Sequence, residues 1–144
     1  VDINCDKNRE SKMTIERLNP PDIYAPNKGI YTQVIKATGS QQIFLAGIVP
    51  FDHEQNIVGI GDMHVQVKQV LENIDRALTA AGAGRSDVVR INALATDVDV
   101  YISEGAPQVI EFFGDTKPTS TTYEVARLVH PDWLIEIEAT AIID

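Results

Sequence analysis

The chain has 144 residues, 44% hydrophobic and 23% charged, with 12 Lys plus Arg against 21 Asp plus Glu and a net charge of −9. That length suits one domain with a real core, and that charge argues against a polyphosphate partner, since no block of five like charges supplies a basic patch. No apolar run approaches the ~20 residues that span a bilayer, and the single cysteine, Cys5, cannot form an internal disulfide; the expectation is a cytoplasmic protein with neither a membrane nor a nucleic-acid partner.

In chain order, residues 1–12 (VDINCDKNRESK) are polar and aperiodic, and Met13 follows. They read as an upstream extension or expression remnant, leaving residues 13–144 as the single domain. Ile30 to Ala37 and Gln42 to Val49 are β-rich runs around Thr38-Gly39-Ser40, which predicts a hairpin. From Asp62 to Ala81 the period changes: Met63, Val67, Val70, Leu71, Ile74, Leu78 and Ala81 recur at three- and four-residue steps, the stripe of an amphipathic helix. Asp62 is its expected N-cap, Glu72 and Arg76 are spaced to pair, and Gly82 is the expected stop.

Val88 to Thr96 predicts a third strand with Val89, Ile91, Ala93 and Ala95 on one face, and APQVIEFF a second helix with Pro107 in its first turn. Thr119 to Leu128 and Leu134 to Ile143 are the closing strands. The order β-β-α-β-α-β-β predicts an α+β sandwich, two helices on one face of a mixed sheet. The other face must be wet or meet another subunit, and Leu94, Val125, Ile135 and Ile137 make the strands too apolar for water. Self-association, cyclic in symmetry, is the expectation.

His53, His64 and His130 lack metal-ligand spacing, and neither a nucleophile elbow nor a Walker lysine motif is present. GAGRSD at Gly82 to Asp87 follows a helix rather than a strand, so it reads as a stop and turn, not a phosphate loop. In LIEIEATAII, Ile135, Ile137, Ala139 and Ala141 share one face while Glu136, Glu138 and Thr140 share the other. Those carboxylates are either the wet side of a sheet or the lining of a subunit cleft, where one would act as general base or water-positioning group.

FFGDTKPTSTTYEVARL together with LIEIEATAII resembles the closing segment of the Rid family, the reactive-intermediate deaminases formerly called YjgF. FLAGIVP, GIYTQV and QVLENIDRALTAAGAGRSDVVRINALATDV match the same family, and the likeness runs from about Lys28 to Ile143. The resemblance implies a chorismate-mutase-like fold, a homotrimer with small-molecule clefts between subunits, and hydrolysis of enamines or imines to 2-keto acids and ammonia without metal or organic cofactor. By resemblance Glu136 orients the attacking water, Tyr31 closes over the ligand, and Gly47 turns its backbone to it. The residue before that glycine, often serine, is Ala46, and Thr122 stands where many members carry cysteine.

Ser120 is the departure. Deaminase-type members place a carboxylate-gripping arginine there, and a hydroxyl offers one hydrogen bond in place of a charged, bidentate fork. Leaving a buried carboxylate unpaired costs about 2–5 kcal/mol, which makes 2-imino acids poor substrates. Arg127 is expected to face away from the cleft in an ion pair, whereas Lys117 and Lys28 remain candidate replacements. The leading reading is a variant deaminase-type hydrolase. The alternatives are a non-catalytic binding or protein-protecting module and, third, a ribonuclease, which the net charge opposes.

Overall fold

The computed structural model describes residues 12–144, the side chain of Lys28 excepted. The extension assigned to residues 1–12, with Cys5, therefore falls almost wholly outside the described residues. Met63–Ala80 forms α1, the 18-residue helix that the apolar stripe predicts. The Asp62 carboxylate accepts from the Val65 amide at 3.0 Å, satisfying one N–H that a helix start leaves unpaired. Glu72 and Arg76 approach to 3.7 Å, and Gly82 takes φ +76° just past the end, a conformation glycine adopts without strain. The stripe from Met63 to Leu78 is buried, but Ala81 is exposed because the helix has already ended.

Strands β3 (Gln41–Ile48), β4 (Val88–Ala95), β5 (Thr119–Glu124) and β6 (Ile135–Ile143) build a mixed sheet in the order β3-β6-β4-β5, with β4 and β5 parallel and the other pairs antiparallel. Ile135, Ile137, Ala139 and Ala141 turn inward onto α1, as their alternation predicts. From β4 the core receives Ile91, Ala93 and Ala95, but Val88 in place of Val89. A register shift between Val88 and Arg90 accounts for this: the irregularity re-aims the side chains at the start of the strand.

The second helical segment begins earlier than the apolar pattern suggests. α2 (Val98–Val100) runs into a π-helical turn (Tyr101–Gly105) and then α3 (Ala106–Phe113), with Pro107 in the first turn of α3 as expected. Pro107 has no N–H to return to the preceding turn, and the wider π turn ahead of it accommodates the loss. A Cβ on Gly105 would come within 2.8 Å of both Tyr101 and Val67, so only glycine lets this turn press so closely on α1.

Two expectations fail. β2 (Val34–Thr38) does not pair with β3 across Gly39 and Ser40; it pairs with β1 (Thr14–Leu18), a strand the sequence reading missed, in a separate two-stranded sheet. Neither Gly39 nor Ser40 adopts positive φ, which both tight hairpin turns require, so the strands diverge. The β1–β2 pair lies over one end of the main sheet, where Arg17 donates to the carbonyls of Ser86 and Thr116 at 3.3 and 3.4 Å. The second failure concerns the uncovered face. Ile135 and Ile137 belong to the core; the face away from the helices instead carries Phe44, 71% exposed, Tyr123, 47% exposed, and half-buried Leu94.

Candidate functional site

Glu136 sits on that outer face, paired in register with Leu94 of β4. Its carboxylate rests against Gly47: a Cβ built on Gly47 would stand 1.8 Å from the Glu136 Oε1. The register shift between Leu45 and Ile48 inserts one extra residue into β3 at Ala46 and Gly47, and a bulge of this kind re-aims backbone at a functional surface. Desolvation, and then the neighbouring Glu138 charge, raise the Glu136 carboxyl above its usual value. Both effects disfavour the anion and bring the group closer to the working range of a general base. Asn92 donates to Glu138 at 3.0 Å, so Glu138 is engaged as a hydrogen-bond acceptor beside it.

Ser120 and Thr122 lie elsewhere. They pair in register with Ile91 and Ala93, both inward residues, so they face the helix side of the sheet. There, between β5 and the segment from Tyr101 to Phe113, is a cleft of about 330 Å³ lined by Ser120, Thr122, Tyr31, Tyr101, Phe113 and Lys117, among others. Tyr31 stands at the free edge of β5, where the next residue, Thr32, donates its amide to the Pro118 carbonyl at 3.2 Å and its hydroxyl to the Lys117 carbonyl at 2.7 Å. Tyr31 also borders a second, open cleft on the outer side with Arg90 and Thr121. Within one chain, then, Glu136 and Gly47 are together on the outer face of β6, and Tyr31, Ser120 and Thr122 are together at the β5 edge, where Thr122 lines the helix-side cleft and Tyr31 and Ser120 border the clefts on both sides.

The remaining charged residues sort clearly. Glu124 accepts from the Val98 amide at 3.0 Å and so supports the start of α2. Arg127 makes no ion pair among the described residues; β5 ends before it, and it donates to the Leu128 and Val129 carbonyls of its own loop. Lys117 lines the helix-side cleft, which keeps it as a candidate cation, and the Lys28 side chain lies outside what is described. No group of three His, Cys, Asp or Glu is placed to hold a metal ion among the described residues, and no helix there is long and apolar enough to cross a membrane.

Sequence reasoning missed three contributors. Arg90 and Asn92 share the outer face with Glu138 and Thr140, and their polar alternation around inward Ile91 was the available signal. Tyr101 gave none, because its burial depends on the π turn.

The family model described as endoribonuclease L-PSP matches residues 23–143. A RutC family protein of Pyrococcus horikoshii is 39% identical over 78% of this chain and 86% of its own. One from Synechocystis is 34% identical over 91% and 98%. Among solved structures, the Rid-family protein YyfB of Yersinia pestis superposes with a TM-score of 0.83 at 28% identity, covering 90% of this chain and 98% of that one. A Mycobacterium tuberculosis member of the YjgF group gives 0.63 at 29% identity over 78% and 86%. Sequence and fold agree, and the chain belongs to the Rid family, also called YjgF.

Proposed function

We propose that this Rid-family chain is a cofactor-independent hydrolase of imines or enamines, working in clefts between the subunits of a homotrimer. The observation that supports this is the separation of the half-sites: Glu136 with Gly47 on the outer face of β6, and Tyr31 with Ser120 and Thr122 at the β5 edge, with β4 between them. A single chain cannot bring them onto one small molecule. A head-to-tail ring can, because its interface joins one surface to a different surface of the next copy. Exposed Phe44 and Tyr123, on the same outer face as Glu136, supply apolar area for that contact.

In the cleft so formed, Glu136 takes a proton from water as the oxygen bonds to the C=N carbon, and the C=N π pair moves to nitrogen, which is protonated. Collapse of the resulting carbinolamine breaks the C–N bond, releasing ammonia and leaving the carbonyl. Raised above its usual value, the Glu136 carboxyl is a better acceptor for that proton than an ordinary carboxylate. Ser120 and Thr122 contribute hydroxyls that orient the ligand without the charge an arginine would bring. A 2-imino acid therefore loses its main anchor.

The test is ammonia release from freshly generated 2-imino acids, with the wild type and Ser120→Arg side by side. The wild type should be slow and the arginine variant faster by at least about thirtyfold, the low end of the value of a paired buried carboxylate. Comparable rapid turnover by both would overturn the reading of Ser120. Silence in both would favour a non-catalytic binding or protein-protecting module. A ribonuclease reading is opposed by the net charge of −9 and by Glu136 and Glu138 on the exposed sheet face.

A further inference from the structure

The helix-side cleft has a chemistry of its own. Its walls are Ile30, Ile91, Val109, Ile110 and Phe113, and Lys117 is the one charged residue lining it among the described residues. No carboxylate lines it, in a chain whose net charge is −9. Tyr101 also lines it, and although this residue is only 3% exposed, its hydroxyl has no hydrogen-bond partner among the described residues. Burial holds that phenol protonated, pushing it up to about 12, so at neutral pH it is a donor. The hydroxyl is not among the buried polar atoms left without a partner, so the donor is open to the cleft that the residue lines. The volume, about 330 Å³, lies at the lower end of the range of roughly 300–1,000 Å³ for small-molecule sites.

We infer that this cleft selects a small monoanion carrying an aromatic or branched apolar group, the apolar body lying against Val109 and Phe113, with Lys117 and the Tyr101 hydroxyl holding the polar end. Resting on the proposed hydrolase for its biological meaning, the inference makes Lys117 and Tyr101 the specificity residues in place of the arginine absent at Ser120. It excludes the smallest imino acids: they have no body to fill the walls, and their carboxylate alone gains only one flexible ammonium partner.

Binding, not turnover, tests it. Phenylacetate, phenylacetamide and acetate are titrated at low ionic strength into the wild type, Lys117→Gln, Tyr101→Phe and Glu136→Gln, with binding followed by calorimetry. Phenylacetate should bind at least about tenfold more tightly than acetate, because only it buries a ring. It should exceed the neutral amide by about fivefold or more, as a charge-assisted contact does. Lys117→Gln should erase the preference for the anion while leaving the amide's affinity in place, and Tyr101→Phe, which keeps the ring, should weaken both. Equal affinity for acetate and phenylacetate, or an anion preference that survives Lys117→Gln, would overturn the inference, as would no binding of any probe. Because the titrations read binding alone, loss of ammonia release in Glu136→Gln with phenylacetate still bound marks the catalytic role, whereas no phenylacetate binding by the wild type marks failure of the cleft, so the two failures give different results.

Discussion

The two faces of the sheet are built by opposite means. On the helix side, β5 and the segment from Tyr101 to Phe113 leave an apolar cleft whose lining includes one charge, Lys117. On the outer side, Glu136 and Glu138 stand two residues apart on β6 with little covering them but the Gly47 backbone and Asn92. One face is apolar and recessed, the other carries two neighbouring carboxylates. Neither has the components of the other, and that difference is the ground on which a site shared between copies is proposed.

The strongest way to break that comparison is complementation. In the Ser120→Arg background, Glu136→Gln inactivates the outer face and Thr122→Phe obstructs the helix-side cleft. Each variant alone should lose about a hundredfold or more in ammonia release, the typical contribution of a positioned base. Random co-assembly of the two in a ring should restore about one quarter of the activity, since one cleft in four then receives both intact halves. No recovery from mixed assemblies, with each variant shown to fold and to exchange subunits, would mean that the half-sites do not meet across subunits.

A smaller effect sharpens the contrast. Gly47→Ala places a methyl where the Glu136 carboxylate lies, 1.8 Å from Oε1, so the acid must swing away. Turnover should fall by about tenfold to a hundredfold, as for a misplacement of about 1 Å, while phenylacetate binding in the helix-side cleft stays unchanged. Parallel loss of both in the same titration would show that the faces are not independent.

The smallest effect is a stability difference with a defined sign. Burial, followed by the Glu138 charge, raises the folded-state value of Glu136 above its ordinary one. Such a carboxyl holds its proton more tightly folded than unfolded, so its contribution favours the fold below the unfolded value and is lost as pH rises through the folded value. Glu136→Gln has no proton to lose. Its Tm relative to the wild type should therefore climb as pH rises from the ordinary carboxylate range through the folded-state value, by a few degrees at most. A difference flat across that window would remove the desolvation of Glu136 from the account.

Much of the fold was legible because it rests on local periodicity. The stripe from Met63 to Leu78 and the alternation from Ile135 to Ala141 each name their buried face without reference to the rest of the chain. The β2 partner was not legible: Gly39-Ser40 has turn composition, but the turn geometry that would zip β2 to β3 is a property of φ, not of residue type. Val88 replaced Val89 in the core for a similar reason, since an irregular register shifts the side chains by one. At the candidate site, the resemblance named Glu136 and Gly47 separately, and their direct contact is visible only in the geometry. That Ser120 and Thr122 face the other way depended on the parallel register of β5 with β4, which alternation within β5 alone cannot supply.

Gln66, fully buried in α1, ties that helix to the entry of β6. Its amide donates to the Gly59 and Asp132 carbonyls at 3.1 and 2.7 Å and accepts from the Leu134 amide at 2.8 Å. Leu134 is two residues ahead of Glu136. Slipping β6 by one position would bring an isoleucine to the outer face and bury the acid, and this one amide, reaching from the opposite layer, acts as a detent against that slip. The orientation of the acid is thus guarded by a residue buried in the opposite layer, so a screen that scores only residues touching the cleft would pass over the side chain that keeps it in order.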